Sequence, residues 1–249
     1  MIIQKSNLLS ASKKIIHAFT TAQGGVSKTP YKSNNLAFHV GDNKESVLQN
    51  HLRLAKALTY DLKRLVWMKQ VHGDKIVNVS ASEDFSHPPN CDALICNQKN
   101  IPLMVMVADC IPILFFDPIK KVIAAVHAGR QGAFLNIVNK TLKMMQYTFG
   151  CEPSTILAIL GPSIGSCCYE MPKTLLQTHS AFDYAYSLKK NKLSLDIKAI
   201  VIKQLLKSGV AEKKIENIAT CVCCKSNTYF SYRASNGITG RFAGVIIMK

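Results

Sequence analysis

The chain has 249 residues, 48% of them apolar and 18% charged, which is long enough to bury a core without disulfide staples and too apolar for a disordered tail. Thirty-one lysines and arginines against fifteen acidic residues give a net charge of +16. That excess favours anionic partners such as phosphate esters, but the basic residues are scattered with no arginine-aromatic repeat, which sets nucleic acid aside.

The first residues, Met1 to Asn7, carry no sustained apolar run behind a basic start, so no secretory signal is read there and a cytoplasmic location is expected. A strand is predicted over Ile15 to Thr20, then a turn-rich segment from Gly24-Gly25 to Asn34-Asn35. Asp42-Asn43-Lys44-Glu45 reads as a capping box, followed by a helix bearing Val47, Leu48, Leu54, Ala55 and Leu58. Strands are predicted at Arg64 to Met68, Lys75 to Val79, Leu103 to Val107, Ile111 to Phe116 and Val122 to His127. The longest apolar stretch, Ile101 to Phe116, is broken by Pro102, Asp109 and Pro112. It falls short of the roughly 20 residues that span a bilayer, so no membrane partner is expected.

A helix follows from about Gly132 to Phe149, with Phe134, Leu135, Val138, Leu142 and Met145 at helical spacing and Gly150 to end it. Thr155 to Leu160 reads as a strand, Asp196 caps a helix that runs to Ser208 and closes at Gly209, and Tyr229 to Tyr232 and Phe242 to Met248 read as strands. No linker, repeat or low-complexity segment divides residues 1–249. The expectation is one α+β domain with mixed β-sheets flanked by helices.

Three segments place a metal-competent or nucleophilic residue at a strand end or turn: Gln70-Val71-His72-Gly73-Asp74, Ala108-Asp109-Cys110 and Val126-His127-Ala128-Gly129. Two imidazoles and one thiolate make a three-ligand set suited to zinc with a fourth position open. They are 38 and 17 residues apart, so only the fold can bring them together, and spacing alone equally allows two ordinary polar histidines and a small buried cysteine. Cys221-Val222-Cys223-Cys224 holds a Cys-x-x-Cys pair without a second such pair in sequence, and Cys167-Cys168 follows Gly161-Pro162-Ser163-Ile164-Gly165, a turn whose amides could face an anion. Both clusters are read as structural. No P-loop, dinucleotide fingerprint or serine nucleophile elbow occurs.

An ordered set of short motifs resembles one family. It begins with His17-Ala18-Phe19-Thr20, Gly24-Gly25-Val26-Ser27, Pro30-Tyr31, Asn35-Leu36, Gly41-Asp42, Gln70-Val71-His72-Gly73 and Cys91-Asp92-Ala93-Leu94. It continues through Ala108-Asp109-Cys110, His127-Ala128-Gly129, Gly161 to Gly165, Cys168-Tyr169-Glu170, Ser231-Tyr232-Arg233 and Thr239-Gly240-Arg241-Phe242. This run is similar to the laccase-domain proteins, also called multicopper polyphenol oxidoreductases, peptidoglycan editing factors and purine nucleoside phosphorylases.

The resemblance implies a metal set of His72, Cys110 and His127 holding zinc, with copper ranked behind it. It also implies purine nucleosides and phosphate as partners: phosphorolysis of adenosine, inosine, guanosine and methylthioadenosine, and hydrolytic deamination of adenosine. Asp109 is the carboxylate expected to move a proton, although strand alternation would point it away from Cys110. Asn35, Arg233 and Arg241 are the expected substrate and phosphate contacts. Three family arginines are replaced, by Ala22, His51 and Gln131, with Arg130 placed to restore one by a shifted approach. Two alternatives stand beside this reading: a cysteine hydrolase or amidase of a cell-wall precursor using Cys110 and His127, and a copper-dependent polyphenol oxidase. Oligomeric state is not legible in the sequence.

Overall fold

The computed structural model describes residues 2–80, 83–189 and 192–249. In chain order the regular elements begin with β1 (Ile3–Gln4), α1 (Asn7–Ser10), β2 (Ile15–Thr20), α2 (Lys44–Leu58), β3 (Val66–Trp67), β4 (Ile76–Asn78) and β5 (Ala93–Cys96). Next come β6 (Pro102–Val107), β7 (Ile111–Asp117), β8 (Val122–Ala128), α3 (Arg130–Phe134), α4 (Ile137–Phe149) and β9 (Leu157–Leu160). The chain ends with β10 (Glu170–Met171), α5 (Thr174–Thr178), β11 (Tyr186–Lys189), β12 (Lys192–Leu195), α6 (Ile197–Lys207), β13 (Ile215–Asn217) and β14 (Phe242–Met248).

The strands form a five-stranded sheet in the order β1-β2-β14-β6-β3, a six-stranded sheet β13-β9-β7-β8-β5-β4 and a small sheet β10-β12-β11. Most neighbours are antiparallel, but β3 runs parallel to β6, β4 to β5 and β13 to β9, so the two large sheets are mixed. The central strands bury both faces, which is why they read as continuous apolar runs rather than alternating ones. Leu103, Val105 and Val107 of β6 join Leu114 and Phe116 of β7 between the two large sheets, while Met104 and Met106 turn the other way onto Leu54 and Leu58 of α2. Ile113 and Phe115 of β7 face outward onto Val138 and Leu142 of α4 and Ile200 and Leu205 of α6. The result is four layers, helix, sheet, sheet and helices, an α+β fold with mixed sheets. No described helix is long and apolar enough to cross a membrane.

Several sequence expectations change in detail. The cap of α2 is Asn43, which accepts from the Ser46 amide at 2.8 Å, while Asp42 instead accepts from Asn35 Nδ2 at 3.0 Å. The helix expected from Gly132 to Phe149 is two helices, because Asn136 sits at φ 63° and breaks the ladder between α3 and α4. Tyr229 to Tyr232 is turn and loop rather than strand; the residues around it fold back so that Ser231 reaches Asp109. The turn after β9 offers no anion cradle: the amides of Ser163, Ile164 and Gly165 already donate to Thr220 O, Asp109 O and Cys221 Sγ. Gly161 is required by close packing, since a β-carbon there would lie 2.3 Å from the Phe19 ring.

Two core histidines make the fold acid-sensitive. His17 Nε2 accepts from the Ser6 amide at 2.9 Å, and His51 Nε2 donates to Leu36 O at 2.8 Å while its Nδ1 lies buried without a partner. Burial, the largest cause in both, lowers each pKa to about 4 from 6.5. Both rings are therefore neutral in the native state and protonate first in the unfolded chain. Their stabilisation is complete above pH 6.5 and is lost as pH falls from 6.5 toward 4. At pH 5 the loss is about 2 kcal/mol per ring. Urea unfolding at pH 7 and pH 5 is expected to register it, with His17→Gln, which keeps an acceptor for Ser6, removing about half the drop. A pH-independent midpoint would contradict this account.

Candidate functional site

The long antiparallel pair β7–β8 sets the site. Cys110 immediately precedes β7, and His127 lies near the end of β8 opposite Pro112, so register alone puts a thiol and an imidazole at one end of the six-stranded sheet. His72 arrives from the turn after β3 with φ 59°. Its left-handed backbone is held by Asp92, whose carboxylate accepts from the amides of Val71, His72 and Gly73 at 3.3, 3.0 and 2.8 Å. Asp92 precedes β5, and its backbone oxygen also takes the His127 amide at 2.8 Å.

The same carboxylate meets His127 Nδ1 at 2.8 Å. An ionised carboxylate only accepts, so Nδ1 carries the proton and Nε2 faces the site. Burial opposes charge on Asp92, but the bond from His127 and the amides of Gly73 and His72 outweigh it and hold the carboxyl below its ordinary range. One buried side chain thus orients both histidines.

The ligand atoms of His72, Cys110 and His127 all lie within 4.8 Å of one another. The imidazole rings meet edge to face at 4.8 Å. A single zinc ion bonded at about 2.0 to 2.3 Å needs donor atoms about 3.3 to 3.8 Å apart, so the set fits such an ion with a small contraction. Burial raises the Cys110 thiol, but His127 and His72 overcome this and bring it down to about 6. Reciprocally, the Cys110 sulfur and Asp92 push His127 upward against burial. Gly129 closes the back of the cluster: a β-carbon there would lie 3.2, 3.4 and 3.5 Å from Cys110 Sγ, His72 Cδ2 and His127 Cε1.

These residues open onto a cavity of about 570 Å³, within the usual range for small-molecule sites. Its walls include Asp109, Arg130, Gln131, Arg233 and Arg241, with His39, Gln70, Tyr169 and Tyr232. Asp109 lies in the β6–β7 turn at φ 94°, not on a strand, and accepts from Ser231 Oγ at 2.6 Å and the Arg233 amide at 2.7 Å. Burial, the leading cause, raises its carboxyl despite these donors. Arg233 donates to the backbone oxygens of Cys168 and Glu170, and Arg241 to those of Thr239 and Gly240. Arg130 instead donates to a side-chain sulfur, Met171 Sδ at 3.4 Å.

Asn35 is not brought to the cavity. It is buried, bonded to Ala37 and Asp42, and its Oδ1 accepts from the Arg241 amide at 2.9 Å, so it positions the Arg241 segment rather than touching a substrate. Of the three replaced arginines, only Gln131 lies on this cavity; His51 is in the core and Ala22 lines a different hollow. Sequence reading gave no role to Asp92, Gln70, His39 or Tyr169. Asp92 had one available signal, a lone acid directly ahead of an apolar strand. Gln70, which bonds both backbone groups of Met106, had none beyond its place beside His72.

The chain is 37% identical over 238 residues to a purine nucleoside phosphorylase of Corynebacterium glutamicum, covering 94% of this chain and 95% of that one. It is 31% identical over 250 residues to the purine nucleoside phosphorylase YlmD of Bacillus subtilis, covering 96% and 90%. Its fold matches the crystal structure of YlmD from Geobacillus stearothermophilus with a TM-score of 0.89 at 30% identity, covering 95% of this chain and 93% of that one. The hypothetical protein YfiH of Bacillus licheniformis matches with a TM-score of 0.90 at 30% identity, covering 94% and 93%. Residues 16–249 also match the family profile described as multi-copper polyphenol oxidoreductase laccase. With that profile spanning most of its length and such relatives along nearly all of it, the chain belongs to this laccase-like family, whose members include proteins named purine nucleoside phosphorylases.

Proposed function

We propose that the protein is a zinc-dependent purine nucleoside enzyme, cleaving adenosine, inosine, guanosine and methylthioadenosine with phosphate and deaminating adenosine with water. The observation that carries this reading is the convergence of His72, Cys110 and His127 at the edge of a cavity walled by three arginines. The names of the relatives supply the substrate class.

His72, Cys110 and His127 would hold the ion, with Asp92 fixing the His127 tautomer. When bound, zinc supplies Lewis-acid chemistry to a water or substrate group. In deamination, water adds at purine C6 and ammonia leaves. Asp109, with lone pairs beyond those used by Ser231 and Arg233, takes up the water proton and returns it to the leaving nitrogen. In phosphorolysis, a phosphate oxygen bonds to ribose C1′ as the bond to the purine nitrogen breaks. Arg130 and Arg241 hold that phosphate through charge-assisted bonds, while Arg233 braces the cavity wall through Cys168 and Glu170.

Copper, named in the family description, suits the donor set less well. His17 and His51 are bonded in the core, His87 pairs with Asp84, His179 stacks on Phe134, and His39, His72 and His127 alone reach the cavity. Three histidines cannot supply several copper centres. A second reading has one favourable observation: Cys110, His127 and Asp92 also form a nucleophile, base and orienter chain, as a cell-wall amidase would need.

The direct test is turnover of adenosine and inosine with and without phosphate, with products separated by chromatography. Arg130→Ala combined with Arg241→Ala is expected to raise the phosphate KM more than about 10-fold, since each charge-assisted bond contributes about 1.5 to 3 kcal/mol. Deamination, which uses water, is expected to change by less than about 3-fold. An unchanged phosphate KM would remove these arginines from the anion site, and no nucleoside turnover at all would sink the reading.

A further inference from the structure

A second group of thiols lies outside the cavity. The turn after β9 carries Cys167 and Cys168, and the turn after β13 carries Cys221 and Cys224. The two turns are joined by a parallel bridge between Ser163 and Cys221, with the Val222 amide donating to Ser163 O at 3.0 Å. The four sulfurs all lie within 4.8 Å of one another, with Cys224 Sγ 3.6 Å from Cys167 Sγ and 3.4 Å from Cys168 Sγ. The sequence holds no second Cys-x-x-Cys to partner Cys221 and Cys224. The partner pair is two adjacent residues, 53 positions upstream of Cys221 at its nearer member.

The spacing of the sulfurs is informative. Four thiolates bonded to one zinc ion at about 2.3 Å stand about 3.8 Å apart along each edge of a tetrahedron. A disulfide needs about 2.05 Å, and four thiolates serving the separate irons of a cluster would have to stand farther apart. Cys221 has surroundings that suit a thiolate, whereas burial pushes the Cys167 and Cys168 thiols upward, and a bound cation would offset that. The Gly165 amide donates to Cys221 Sγ at 3.2 Å, and Gly165 gives the sulfurs room, since a β-carbon there would lie 3.2 Å from Cys167 Sγ and 3.5 Å from Cys221 Sγ. Buried Lys198, whose Nζ bonds Ile218 O at 2.8 Å, adds a cation on the Cys221 side.

We propose that Cys167, Cys168, Cys221 and Cys224 form a second, closed tetrathiolate zinc site. All four positions are filled by protein sulfur, so no position is left for water or substrate and the site is structural. It ties together two turns that have no helix or long strand of their own. Its consequence reaches the cavity: Tyr169, which lines the cavity, directly follows Cys168, and Arg233 holds Cys168 O at 2.9 Å. The ion would fix that wall.

The test uses the full-length protein and measures zinc per chain by elemental analysis. Two equivalents are expected in the unmodified protein. One is expected in Cys110→Ala, which spares the tetrathiolate, and one in Cys167→Ala combined with Cys168→Ala, which spares the histidine site. Replacement by cobalt should give strong sulfur-to-metal charge-transfer absorption that persists in Cys110→Ala and falls in the double variant to the weaker band of the single thiolate Cys110. If the double variant does not fold, mapping of iodoacetamide labelling in unmodified protein decides the matter: exposed Cys167 and Cys224 should be protected until a chelator is added. Unchanged zinc content in a folded double variant, labelling of these thiols without chelator, a disulfide among them, or iron with inorganic sulfide would each overturn the proposal. Failure of the histidine site alone would appear differently, as one zinc per chain that Cys110→Ala does not remove.

Discussion

Protein stripped of zinc is expected to lose adenosine deamination and phosphorolysis together and to regain both when zinc is returned. The loss should be at least about 100-fold, because Lewis-acid stabilisation contributes several kcal/mol and each 1.36 kcal/mol is tenfold in rate. Cys110 carries the discrimination from the thiol-hydrolase reading. As a ligand its sulfur is committed to the ion and protected from iodoacetamide; as a nucleophile it would work without metal and be trapped by the reagent. Cys110→Ser harms both mechanisms and separates nothing, so chelation and labelling are the measurements that matter. Full turnover by metal-free protein would transfer the chemistry to Cys110, His127 and Asp92.

Asp92→Asn is expected to weaken zinc binding at the His72, Cys110 and His127 set by about 10- to 100-fold, the usual effect of removing the carboxylate behind a histidine ligand. The effect is large because one fully buried side chain does two jobs. It accepts a hydrogen bond from His127 Nδ1, and it accepts those of the three amides that hold His72 in its left-handed turn. Asparagine replaces one acceptor oxygen with a donor, which must then face either an imidazole N–H or an amide N–H. Asp92→Ala is a poorer probe, since each buried amide left unpaired costs about 1 to 3 kcal/mol and the fold itself would suffer. Competition with a chromophoric chelator measures the change; an affinity within about 2-fold of the unmodified protein would show that Asp92 does not support the ligands.

By itself the sequence determined the elements whose signals are local. β2 and β14 occupy the predicted residues, and β6, β7 and β8 lie within a residue of them, because unbroken apolar runs with turn residues at each end leave little choice of strand or boundary. The helix ending at Ser208 was equally plain, with Asp196 accepting the Ala199 amide at its start and Gly209 at φ 91° beyond its end. β5 is not among the predicted strands because Ala93 to Cys96 is only four residues long, too short for its apolar run to show a period, even though Pro88-Pro89-Asn90 precedes it. The family relationship was also legible, through the order of many short motifs rather than any one of them.

Only the tertiary structure decided what meets what. His72, Cys110 and His127 come from three segments, and their convergence depends on the β7–β8 register and on how the turn after β3 is held, neither of which local spacing encodes. Asp92 and Arg130 gained their places in the same way, and Asn35 lost its expected contact because the fold turned it onto the backbone around Arg241. The four clustered thiols make the point most directly. Adjacent cysteines in one turn and a Cys-x-x-Cys pair in another have no detectable relation in sequence. The parallel pairing of β9 with β13 extends both strands side by side, and the turns at their ends must then lie together.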